Sequence, residues 1–209
     1  MIIEPAQLLI FIPAALALNM TPGADMLFCL SQGAKSGPKA GIAASFGIAT
    51  GSLIHALLAA LGLAALLKAY PLAFEAVRWA GVAYLVWLAI QAFRHPVDLS
   101  SPAGLAGSSA YRAWRDGILV NLLNPKVAVF VLAFIPQFVD PARGSTVLQF
   151  LLLGLILNIG GTIINAAVGG FSGSIGKLLA GNRHAARLFQ WFSGAIFLGL
   201  AAKLAFERR

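Results

Sequence analysis

Charge is what this chain has least of. Only 11% of its 209 residues are Asp, Glu, Lys or Arg, where a soluble domain carries about a quarter. That is too little charge to cover a globule, so a water-soluble fold is excluded. Acidic residues are scarcer still, seven against 15 basic ones, for a net charge of +8. The basic residues sit in short connectors between apolar runs, the pattern of loops beside anionic lipid. A nucleic-acid-binding protein would gather them on one face, so nucleic acid is not an expected partner. Cys29 is the single cysteine. It can form no intrachain disulfide and reads as a small packing residue. No Lys or Arg precedes Lys35. The basic start of a signal peptide is therefore missing, although Ala15-Leu16-Ala17 resembles a cleavage site, and the N-terminal segment is expected to stay as a first span.

What the chain has in abundance is apolar sequence: 59% hydrophobic residues and a mean hydropathy of +0.85. Runs longer than about 18 apolar residues mark membrane spans. Six are expected, at about 5–30, 40–67, 72–93, 116–139, 146–175 and 186–206. A Pro-, Gly- and Ser-rich connector fills about 94–115. The second half echoes the first. "GSLIH" from Gly51 to His55 aligns with "GTIIN" from Gly161 to Asn165. "GVAYLVWLAIQAF" from Gly81 aligns with "GAIFLGLAAKLAF" from Gly194, and "NMTPG" from Asn19 aligns loosely with "NLLNPK" from Asn121. Three spans per unit place the two units in opposite orientations, as in many secondary transporters. The expectation is one all-α membrane domain over 1–209. It comprises two inverted three-helix repeats, about 1–93 and 116–209, with helices 1 and 4 broken. Connector charge, eight basic residues against six, weakly favours both termini outside.

The breaks carry the chemistry. Lipid offers no hydrogen bonds, so backbone that leaves the helix at membrane depth must be buried in protein or line a wet cavity. Pro22 removes a donor and crowds the preceding turn, Gly23 permits unusual backbone, and Thr21 is placed to cap a new half-helix. Asn19 and Asp25 flank them, which favours a site over a simple kink. Asp25 is the only carboxylate well inside a span. A charge there costs about 2.5–3.5 kcal/mol on insertion scales, and such residues usually serve a pathway. In span 4, Asn124 is a cap, Pro125 suits the first helical position, and Lys126 either serves the site or snorkels to the nearer interface. We expect Asp25 and Lys126 to approach each other near the midplane, where they would face a zwitterion. Asn158, Thr162 and Asn165 share one face of span 5. Interhelical bonding explains the first two best; His55 and its repeat partner Asn165 stay open between packing and function. Gly33, Gly37, Gly41 and Ser45, with Gly47 and Gly51, have the spacing of close helix packing.

Three blocks resemble a known family: "TPGAD" in span 1, "GAKSGPKAGIAASFGIATG" leading into span 2, and "NLLNPKVAVFVLAFIPQFV" in span 4. Together they make the chain similar, over essentially its whole length, to the LysE/RhtB superfamily of amino-acid exporters. Ala24 stands where that family usually has a second proline. The resemblance implies a multi-pass inner-membrane protein that exports an amino acid or derivative in exchange for protons. It also implies a transporter, not an enzyme, that takes no cofactor. On this reading Asn19, Thr21, Pro22, Gly23, Asp25, His55, Asn121, Asn124, Pro125, Lys126 and Asn165 line the substrate and proton pathway. Half-helix N-termini hold the substrate carboxylate, Asp25 holds its ammonium or a proton, and Lys126 balances charge. The lipid bilayer is the surrounding partner, and a homo-oligomer is compatible with the sequence. The alternative is an exporter of metal or another small solute, which Met20, Met26 and Cys29 near the break suggest. An intramembrane enzyme ranks below it.

Overall fold

The computed structural model describes residues 2–69, 71–94, 108–173 and 183–206, and these are helical with no strands. Span 1 is two helices, α1 (Pro5–Met20) and α2 (Ala24–Ser36). They meet at a 49° bend. Next come α3 (Pro38–Ala69) and α4 (Pro71–Arg94). Span 4 begins as α5 (Ala110–Leu122), breaks, and resumes as α6 (Pro125–Val129). It widens to a π-helix over Phe130–Phe134 and closes as a 3₁₀ turn over Ile135–Phe138. The two arms of span 4 are bent by 52°. α7 (Thr146–Gly170) and α8 (Arg183–Phe206) complete the described chain. The middle of the long connector, 95–107, and the expected tail of span 5, 174–175, lie outside the described residues.

Two stretches, Pro38–Gly62 of α3 and α7, are each long and apolar enough to cross a bilayer, and each bent pair passes the same test as one unit. Both expected breaks are therefore present, with two differences. Span 4 starts earlier, because Ser109 caps α5 by accepting a hydrogen bond from the Arg112 amide. Its break at 123–124 then falls near the middle of the span, which the expected start at about 116 would have placed a third of the way along. The π-helix also has a local cause. Pro136 has no N–H to give the Leu132 carbonyl, and its ring would strike that oxygen in a regular helix, so the turn before it widens.

Small residues set the packing. A Cβ at Gly33 or Gly41 would collide with the backbone of Gly169, and one at Gly47 with the Trp114 carbonyl. Helices α2, α3, α5 and α7 consequently pack backbone to backbone. Gly37 leaves the expected four-residue series. Its φ of +87° makes it the turn between α2 and α3 instead of a packing position. On the other side of the breaks the core is aromatic. Phe11 of α1 stacks on Phe134 at 6.2 Å and meets Phe138 edge-on at 5.2 Å, and all three are fully buried. α4 and α8 pack on each other, with the Phe93 ring lying over Gly194.

Candidate functional site

The site lies where the two breaks meet. α1 ends because Pro22 cannot extend it, and Thr21 closes its last turn. The Thr21 amide and hydroxyl both donate to the Ala17 carbonyl, at 2.9 and 2.6 Å. This corrects the expectation that Thr21 caps the next half-helix. The residue before α2 is Gly23, in extended backbone and with no side chain to cap. In span 4 the expected cap is present: Asn124 Oδ1 accepts from the Lys126 amide at 3.0 Å, with Pro125 at the first helical position.

That cap aims the Lys126 side chain across the molecule. Its Nζ donates to the carbonyls of Thr21 (2.8 Å) and Leu18 (3.1 Å), which a helix end leaves without intrahelical partners. Lys126 is half-buried and does not snorkel, because its ammonium is engaged inside the protein. Gly23 makes room for it, since a Cβ there would sit 3.1 Å from Nζ and 3.4 Å from Cε. Asp25, on the first turn of α2, accepts from Asn121 Nδ2 of α5 at 2.9 Å. The Asn121 backbone carbonyl in turn accepts from His55 Nε2 at 3.3 Å. Lys126 and Asp25 thus share a neighbourhood without forming an ion pair. Each is held by the opposite break.

Two small cavities occupy the junction. One, of about 30 Å³, is lined by residues that include Asp25, Ser52, Asn121, Asn158, Thr162 and Asn165. The other, of about 20 Å³, lies among Asn19, Thr21, Asp25, Met26, Lys126 and Asn165. Three buried oxygens here lack hydrogen-bond partners: Oδ1 of Asp25, of Asn121 and of Asn165. An open groove of about 410 Å³ on the outer face of α3 and α7 meets the first cavity at Ala49, Asn158 and Thr162.

Most of the residues singled out from sequence therefore converge. Asn19 bonds the Leu157 carbonyl of α7 at 2.9 Å, and Asn165 reaches the cavities from α7. His55 does not line them; it touches the site only through Asn121. Asn158 donates to the Ala49 carbonyl at 2.7 Å, the interhelical role expected of it, but it and Thr162 also form the cavity wall. Ser52 gave no signal in sequence, whereas the Leu18 carbonyl had one that was missed: Pro22, four residues on, has no N–H to give it. A serine in an apolar helix is unremarkable, and a carbonyl becomes a ligand only where a helix stops. Among the described residues no three His, Cys, Asp or Glu side chains cluster as a metal site.

Comparison with known proteins identifies the family. The family model for the LysE type translocator matches residues 16–208. An uncharacterized membrane protein of Vibrio cholerae is 31% identical over 197 residues, 94% of this chain and 95% of that one. The homoserine/homoserine lactone efflux protein of Salmonella typhimurium is 32% identical, covering 91% of this chain and 92% of its own. A leucine efflux protein of an Enterobacter species is 29% identical, covering 93% of each. No solved structure matches at a significant level. Both breaks, at 21–23 and 123–124, fall inside the matched residues, and the chain, a multi-pass membrane protein, belongs to the LysE type translocators.

Proposed function

We propose that this protein exports a small amino acid or amino-acid derivative, of the homoserine or leucine kind, across the inner membrane. It does so by alternating access in exchange for protons. The observation that carries the reading is reciprocal bonding between the breaks: Lys126 of span 4 holds the carbonyl end of α1, and Asn121 of span 4 holds Asp25 of α2. Broken helices that meet at one polar site are the arrangement of secondary transporters. The relatives named for homoserine and leucine efflux support the substrate class.

A six-span inverted repeat is part of this proposal. Crosswise contacts support it. Asn19 of the first half packs on Gly161 of the second, and Asn121 of the second packs on Gly51 of the first. Asn19 aligns with Asn121, and Gly51 with Gly161, so the two contacts are related by the repeat.

Mechanism follows from size and charge. A cavity of 30 Å³ has room for one or two waters, not for a whole amino acid. Substrate entry therefore requires the α1–α2 and α5–α6 elbows to part. Asp25 is the group that exchanges a substrate cation for a proton, and Asn121 releases it as the elbows separate. In proteoliposomes under an imposed pH gradient, Asp25→Asn abolishes coupled efflux of homoserine and leucine while eluting as the wild type does in detergent. Undiminished coupled efflux by this variant sinks the mechanism.

A further inference from the structure

The site contains more bare acceptors than donors. Asp25, Asn121 and Asn165 line one cavity from α2, α5 and α7. Each is at least nine-tenths buried, and each carries an oxygen with no hydrogen-bond partner. A buried acceptor left bare costs free energy, and three around one cavity are unusual unless something donates to them. Bonding fixes the identity of the Asn121 atom. Asn121 gives its amide to Asp25, so its free atom is the carbonyl oxygen. Asp25 supplies negative charge.

The nearby cation is already engaged. Lys126 does not line this cavity, and its ammonium is bonded to Leu18 and Thr21 carbonyls. To meet a substrate carboxylate, Lys126 would have to abandon two main-chain acceptors that have no other helical partner. α6 is a five-residue helix whose second amide is already taken by Asn124, so it adds no carboxylate site.

We propose that these three oxygens form a cage for a primary ammonium group. The protein recognises its cargo by the free amine and does not require a free carboxylate. The inference rests on the export reading above and names its substrate class: α-amino compounds, including those whose carboxyl is esterified, amidated or closed into a lactone. The cavity size agrees, since about 30 Å³ suits an ammonium head. An ammonium has three donors for three acceptors. The groove beyond Asn158 and Thr162 offers space for the rest of the molecule.

Equilibrium binding to the purified full-length protein tests this, using two pairs of probes: homoserine lactone against N-acetylhomoserine, and leucinamide against N-acetylleucine. In at least one pair the amine-bearing compound binds 10-fold or more tighter than the acetylated acid. Asn165→Ala reduces that ratio at least threefold while its thermal transition stays close to the wild type. Equal binding within both pairs, preference for the acetylated acids, or no binding by any of the four overturns the cage. An unchanged ratio in a folded Asn165→Ala protein removes Asn165 from it and overturns the three-oxygen assignment. Amine-selective binding without efflux in proteoliposomes leaves the cage standing and removes the export reading instead.

Discussion

Lys126 sits where a helix has run out of its own donors. α1 stops at Met20, leaving carbonyls that a continuous helix would have satisfied, and the lysine supplies the missing hydrogen bonds from another span. Bonds from charged donors are worth more than neutral ones, and an orphaned buried acceptor costs about 1–3 kcal/mol. Lys126→Met keeps the length of the side chain and removes the charge. Its expected cost is about 2 kcal/mol in stability, on that scale, read as a lowered thermal transition in detergent, with transport lost. Gly23 is the complementary case. Its φ of −165° is ordinary extended backbone, so any residue fits the conformation, and only the lysine excludes a side chain. Gly23→Ala therefore folds. The new methyl group displaces Nζ from Thr21, and transport falls far more than stability, which parallel efflux and melting measurements on one preparation resolve.

At the scale of elements, two kinds of packing divide the molecule. Between α2, α3 and α7 the contact is backbone on backbone, through Gly33, Gly41 and Gly169. Gly169→Ala places a methyl against the Gly41 backbone, which cannot rotate away. Overpacking of this kind costs about 1–3 kcal/mol, and here it also spreads α3 from α7. Chemical denaturation in detergent should register the loss, whereas Gly62→Ala, where a Cβ meets open space, leaves the midpoint unchanged or slightly raised. On the other side the Phe11, Phe134 and Phe138 rings fill the interior, with the Lys203 ammonium 4.9 Å from the Phe138 ring centre. Stacked aromatic pairs add about 0.5–1.5 kcal/mol beyond burial.

Across the whole molecule, the proposed alternating access would need contacts that form on one face and break on the other. Contacts between residues distant in sequence at two places are candidates for this. Glu4 at the start of α1 bonds Arg143 beyond span 4 at 2.8 Å. Near the end of α2, Gln32 accepts from Ser108 Oγ and Ser36 from the Ser108 amide, each at 2.7 Å. The Glu4–Arg143 pair is half exposed, and such pairs contribute about 0.2–1 kcal/mol, so Glu4→Gln barely moves stability. Its covalent counterpart behaves differently. In a Cys29→Ser background, Glu4→Cys with Arg143→Cys joined by a short thiol-reactive crosslinker stops transport. Either single variant given the same reagent continues, as counted in efflux assays. Full activity of the crosslinked double variant would mean that this face does not open.

The sequence alone determined that the chain lives in a membrane, and it located both interruptions. Low charge and long apolar runs leave no other solvent for the chain, and Pro22 and Pro125 each remove a backbone donor whatever surrounds them. Asp25 was conspicuous for the same reason, since a carboxylate in hydrocarbon demands a partner. Which partner it takes was decided only in three dimensions. Sequence suggested Lys126, yet the chain folds Asn121 onto Asp25 and turns Lys126 toward two carbonyls. Main-chain acceptors come free wherever a helix ends; Pro22 marks the Leu18 carbonyl as one, but nothing in the sequence says which cation reaches it. Thr21 turned back into its own helix, Gly37 became a turn, and His55 and Asn165 parted despite aligned positions. The first two are local, Thr21 bonding Ala17 and Gly37 turning its own backbone, but the partners of Asp25, Lys126, His55 and Asn165 depended on which neighbouring helix came within hydrogen-bonding distance, a quantity set by the close packing of several helices and by no single segment of the chain.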